Sequence, residues 1–131
     1  MNIRSIATLP AQDLDRAKRW YEEKLGLRPS STDATGGLMY EVSGGTGFLV
    51  FMSSGKANGE HTQMALEVED VPAAVQEFKG RGVKFEDYDM PGLKTEGGIG
   101  EANGVKAAWC KDSEGNLLAV GEPVRAPVAR S

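Results

Sequence analysis

The segment I-A-T-L-P-A-Q-D at residues 6–13 returns, degraded, as Q-M-A-L-E-V-E-D at residues 63–70, a constant offset of 57. Each copy ends on an aspartate that opens a helical pattern, D-L-D-R-A-K-R-W-Y from Asp13 and D-V-P-A-A-V-Q-E-F from Asp70. Such a repeat constrains architecture more than any local motif, because each copy must build the same small unit and bury its apolar face against a neighbour. Two strand–helix units predict two facing sheets with a cleft between them. Function is expected in that cleft.

At 131 residues the chain fits one compact domain, or two half-size modules sharing a core. A net charge of −4 provides no strongly basic face, so neither nucleic acid nor an anionic membrane is an expected partner. No apolar stretch approaches bilayer-spanning length, and the opening Met1-Asn2-Ile3-Arg4 reads as the start of a strand instead of a signal peptide. Cys110 is the one cysteine, which rules out an internal disulfide and points to a reducing cytoplasm.

The first module is expected over residues 1–54. A β-run from Ile3 to Leu9 ends at Pro10, and a helix runs from Leu14 to Leu25. Asp13 caps that helix, Gly26 stops it, and Leu14, Ala17, Tyr21 and Leu25 form one apolar stripe. Strands Leu38–Val42 and Phe48–Met52 follow, joined by the turn Gly44-Gly45-Thr46-Gly47. That glycine turn lacks the lysine and following helix of a phosphate loop. Residues 55–60 read as a linker. In the second module, residues 61–122, a strand from His61 leads into a helix from Val71 to Lys79, and Val83-Lys84-Phe85 opens the next strand. Residues 87–103 read as a long irregular segment, a candidate lid, and a final hairpin turns at Asp112–Asn116. The tail, 123–131, is expected to fray. The fold class is therefore α+β: two βαβββ modules forming facing, curved mixed sheets around a central cleft.

Alternation along a strand sorts side chains between the two sheet faces. Met64, Leu66 and Val68 form the set covered by the second helix, leaving His61, Gln63, Ala65 and Glu67 on the concave face. By the repeat, Ile6 and Thr8 are concave while Ala7 and Leu9 pack on the first helix. Leu118 and Val120 face a helix, and Ala119 faces the cleft. Charged residues such as Asp15, Arg16, Lys18 and Arg19 read as a solvated helix face.

These features together resemble the vicinal-oxygen-chelate superfamily of glyoxalases, extradiol dioxygenases, fosfomycin thiol transferases and bleomycin-binding proteins. The residues carrying the likeness are Asp13-Leu14-Asp15-Arg16-Ala17 with Trp20-Tyr21 and Leu25-Gly26-Leu27, then Asp70-Val71 with Ala73-Ala74, Arg81-Gly82-Val83, and Lys111-Asp112-Ser113-Glu114-Gly115-Asn116-Leu117. The last segment is similar to the family's D-P-x-G-N turn, with serine for proline. The resemblance implies a homodimer. It also implies a divalent metal held by His or Gln on the first strand of each module and by Glu near each module's last strand. Those positions fall on Ile6, Gln63, Ala119 and, within one residue, Val50. Three of the four lack donor atoms, so no metal and no other cofactor is expected.

In place of a metal, the sequence predicts an apolar pocket with a few polar groups. Trp109, Val105 and Ala107 share one face of their strand. Tyr40, Phe48, Val50 and Met52 are expected from the first module, and Met90 and Leu93 from the 87–103 segment. Ile6, Thr8, His61, Gln63 and Ala119 complete the lining. Such a lining suits a hydrophobic aromatic natural product or antibiotic held by stacking, as in resistance-type sequestration. The alternative is a metal-dependent glyoxalase-like lyase, isomerase or dioxygenase with atypical ligands such as His61 or Glu101. A metal-free enzyme using His61 or Glu67 as general base, and a module acting through its dimer surface alone, are further alternatives.

Overall fold

The computed structural model describes residues 1–3, 5–43, 46–102 and 104–123. Gly44 and Gly45 of the turn expected at 44–47, and the tail from residue 124, lie outside them, while Thr46 and Gly47 belong to a strand. Two compact units emerge, and the division is not a single cut along the chain. One comprises Met1–Met64 with Lys111–Leu118, the other Ala65–Cys110 with Ala119–Ser131. The architecture is α+β with two mixed sheets.

In the first unit, β1 (Ala7–Ala11) leads into α1 (Leu14–Trp20), whose last turn, Tyr21–Leu25, widens into a π turn. Gly26 closes it in the left-handed conformation, φ 71°, where a residue without Cβ is favoured. The strands β2 (Ser31–Thr32), β3 (Leu38–Val42) and β4 (Thr46–Met52) complete a sheet of order β1-β4-β3-β2, with β1 parallel to β4 and the rest antiparallel. Pro10 does not end the first strand as expected. It lies within β1, opposite Phe51, and is tolerated because β1 is the edge of its sheet and needs no donor on its outer side.

The strand β5 (Thr62–Glu67) spans the division at Met64, and α2 (Val71–Gly80) follows in the second unit. The repeat holds at atomic detail: Asp13 and Asp70 are both extended N-caps whose Oδ1 accepts from the backbone N–H three residues on, Arg16 at 2.9 Å and Ala73 at 3.0 Å. Beyond α2, the segment expected to be irregular is instead β-structure. It forms β6 (Asp89–Met90), β7 (Leu93–Glu96) and β8 (Ile99–Ala102), before β9 (Val105–Lys111) and β10 (Leu117–Gly121). Gly92 (φ 81°), Gly97 (φ 59°) and Gly98 (φ 87°) make the tight reversals that allow such short strands to pair. The sheet order is β5-β10-β9-β8-β7-β6. Val83–Phe85 contributes a single bridge, Phe85 to Cys110, and not a strand.

Each unit has its own apolar core. In the first, Tyr21 packs against Tyr40 and Phe48 at centroid distances of 5.4 and 5.6 Å, Tyr40 and Phe48 stack at 4.7 Å, and Leu9, Val50 and Ala17 are fully buried. In the second, Val71, Val75 and Ala108 are joined by Val68, Phe85 and Ile99.

The turn at 112–116 is fastened to the start of α1 within the first unit. The buried Glu114 carboxylate accepts from the backbone N–H of Gln12 (2.9 Å) and Asp13 (3.2 Å), from Arg16 through Nε (2.7 Å) and Nη2 (3.0 Å), and from the Ser113 hydroxyl (2.9 Å). Asp112 accepts from Tyr21 Oη at 2.7 Å and from Asn116 Nδ2 at 2.8 Å, and Asn116 Nδ2 also donates to the Pro10 carbonyl. Arg16, exposed on that helix face, is also the ion-pair partner of a buried carboxylate.

Candidate functional site

The register of each sheet fixes which side chains its uncovered face presents. In the first unit α1 covers the face bearing Leu9, Leu38, Tyr40, Phe48 and Val50. Tyr40, Phe48 and Val50, expected to line a pocket, are thus core residues under the helix. The cause is the continuous apolar run Phe48-Leu49-Val50-Phe51-Met52, which carries no polar alternation to mark its inner face. The opposite face carries Thr8, Met39 and Leu49 as one cross-strand row, with Pro10 and Phe51 as the next. Met39, Leu49 and Phe51 are half-buried, Thr8 is exposed, and Ile6 just before β1 is 37% exposed. Met52 shares the helix-side parity but stands exposed at the end of β4.

The sequence signal could not locate Met39, Leu49 and Phe51, yet these residues make this sheet face apolar. The buried Tyr40 hydroxyl has no hydrogen-bond partner among the described residues. Burial, aided by nearby Glu22, pushes its pKa up to about 12.

In the second unit the expected alternation of β9 holds. Ala108 packs toward α2 in the core, so Val105, Ala107 and Trp109 occupy the opposite face and are half-buried. Gly100 pairs with Ala107 across β8, and Thr95 pairs with Gly100 across β7. A Cβ at Gly100 would lie 3.0 Å from Leu93 Cδ1 and 3.2 Å from Thr95 Cγ2, so the glycine lets Leu93 settle on the sheet. A Cβ at Gly121 would lie 3.8 Å from that of Ala107, which puts Gly121, and with it Ala119, on the same face. Leu93, Val105, Ala107, Trp109 and Ala119 are therefore brought to one face. Met90 is exposed in β6.

Trp109 is met edge-on by Tyr88, with ring centroids 5.7 Å apart and planes at 82°, forming an aromatic corner. The sequence places Tyr88 in a candidate lid whose Met, Leu and Tyr side chains close over a ligand, not in a wall fixed against Trp109. The Thr95 hydroxyl holds that stretch in place, accepting from Tyr88 N–H at 2.8 Å and donating to Asp87 Oδ1 at 2.8 Å. Asp87 also accepts from Gly98 N–H at 2.9 Å. These bonds, that from Thr95 first, hold the Asp87 carboxyl below the usual carboxylate range.

His61 is exposed ahead of β5, and Gln63 is half-buried within it. The position within one residue of Val50 falls, by face, on Leu49 or Phe51, neither of which can ligate. With Ile6 and Ala119 equally without donors, Gln63 alone offers an oxygen, and these residues do not fit a divalent ion. Among the described residues no group of three or more His, Cys, Asp or Glu side chains converges on a metal-sized space. Among the described residues no helix is long and apolar enough to cross a membrane.

A family profile described as the Glyoxalase/Bleomycin resistance protein/Dioxygenase superfamily matches residues 3–120. No curated protein matches the sequence significantly. Among solved structures, UcmS2 superposes with a TM-score of 0.73 at 20% identity, covering 94% of this chain and 100% of its own. A glyoxalase/bleomycin resistance protein from Catenulispora acidiphila DSM 44928 gives 0.65 at 25% identity, with coverages of 93% and 99%. A bleomycin-binding protein in complex with bleomycin gives 0.68 at 19% identity, again with coverages of 93% and 99%. The chain belongs to the Glyoxalase/Bleomycin resistance protein/Dioxygenase superfamily.

Proposed function

We propose that this protein binds, without a metal, a hydrophobic aromatic small molecule such as a natural product or antibiotic, and acts by sequestering it as a cytoplasmic homodimer. The observation that carries this reading is the Trp109–Tyr88 corner, set beside the small residues Gly100 and Ala107 on a face that no helix of its unit covers. A planar ring system laid against the half-buried indole would gain both buried area and stacking there. The half-buried apolar residues Met39, Leu49 and Phe51 on one sheet face of the first unit support the same class of ligand. The similar bleomycin-binding protein lends the class its first probe.

Ile6, Val50 and Ala119 offer no donor atoms, so these positions supply no set that fits a metal. The test is titration of the protein with bleomycin and a panel of planar aromatic antibiotics, followed by tryptophan fluorescence. Trp20→Phe leaves Trp109 as the reporter, since the chain has two tryptophans. Saturable quenching is expected with at least one compound. A flat response across the panel refutes the reading.

A further inference from the structure

We infer that Thr95 is a positioning residue for the ligand wall: its buried hydroxyl holds Tyr88 against Trp109 and so sets the shape of the surface a ligand meets. The inference rests on the binding reading above, but its structural half can be tested without any ligand. Thr95 is buried in β7, 7% exposed, with its methyl toward Gly100 and its hydroxyl engaged in two directions. It accepts from the Tyr88 backbone N–H at 2.8 Å and donates to Asp87 at 2.8 Å. The backbone adds a parallel link, Thr95 N–H to the Tyr88 carbonyl at 2.9 Å. Asp87 in turn accepts from Gly98 N–H, so one hydroxyl ties the 87–88 stretch to the β7–β8 turn.

Tyr88 lies outside the regular strands, and its neighbour β6 is two residues long. Backbone bonds hold the stretch as well, Glu86 N–H to the Trp109 carbonyl at 2.8 Å among them, and the Thr95 hydroxyl adds the side-chain link at Tyr88 itself. Valine matches threonine in shape but lacks the hydroxyl, whereas serine keeps it. Thr95→Val removes both bonds at once and leaves the Tyr88 N–H and the Asp87 carboxylate seeking water.

Three measurements decide the inference. Without ligand, amide hydrogen exchange at Tyr88 is expected to lose protection in Thr95→Val and retain it in Thr95→Ser, and the Trp109 emission of the Trp20→Phe protein is expected to change in parallel. Unchanged Tyr88 protection in a folded Thr95→Val protein overturns the inference. With bleomycin and the same aromatic panel, Thr95→Val is expected to weaken binding by roughly 3- to 10-fold, the scale of one aromatic contact. In a Tyr88→Ala background, the same Thr95→Val change is expected to cost nothing further. An equal loss in both backgrounds means that Thr95 acts through general stability and not through Tyr88, which also overturns it. A wild-type protein that binds no member of the panel refutes the binding reading instead, and the exchange experiment still judges the Thr95–Tyr88 link.

Discussion

Glu114→Gln should unfasten the 112–116 turn, with a cost that depends on pH in a predictable direction. Five donors converge on this carboxylate, two of them from Arg16. The Arg16 guanidinium above all, with Ser113 and the N–H groups of Gln12 and Asp13, holds its pKa down to about 2 against an ordinary 4.5. At 1.36 kcal/mol per pKa unit that displacement corresponds to about 3 kcal/mol, a ceiling because the Arg16 side chain is 49% exposed and water screens its share. Because the folded pKa lies below the unfolded one, this stabilisation is fully present above pH 4.5 and is lost as the pH falls toward 2. Urea unfolding of both proteins, followed by far-UV circular dichroism at several pH values from 7 to 2.5, measures it. Wild type should exceed Glu114→Gln by up to about 3 kcal/mol at pH 7, and the gap should close below pH 4. A gap that stays constant across that range would show that the charge on Glu114 is not what holds the turn.

Trp109→Ala should weaken binding of the best aromatic compound by about 1 kcal/mol or more, read as roughly a five- to tenfold rise in Kd by calorimetry. Tyr40→Phe should be neutral or stabilising by up to about 1 kcal/mol in thermal melts, because it removes a buried hydroxyl without a partner among the described residues; a clear loss of stability would contradict that. Gly98→Ala should destabilise by about 2 kcal/mol or more, since φ is 87° and the new Cβ would sit 2.6 Å from Phe85 Cβ; unchanged urea midpoints would refute this.

Sequence made the repeat legible because helix caps are local. An aspartate three residues ahead of the N–H that donates to it works alike at Asp13 and Asp70. The faces of β9 were equally readable, since Ala108 and Cys110 alternate with Val105, Ala107 and Trp109 around one aromatic. Strand β4 was not, because five consecutive apolar residues give no parity. Only pairing with Leu9 and Leu38, and the Tyr21 ring above Phe48, decides that Val50 faces inward. The strands within 87–103 were hidden for another reason: segments of two to four residues carry no period, and their pairing is dictated by glycine reversals. The solvated position of Arg16 was legible, but its ion pair was not, because the partner Glu114 stands 98 residues away. Tyr88 was legible as a side chain near a ligand but as part of a lid, not of a wall, because its placement depends on a threonine seven residues later.

The central claim is that an aromatic ligand is bound without a metal. Its most direct test is calorimetric titration of chelator-treated protein with bleomycin and the planar aromatic panel, repeated after addition of Mn, Ni or Zn. The account predicts saturable binding in the chelated protein that added metal leaves unchanged. Binding that appears only after metal is restored, with one ion retained per chain, would contradict it.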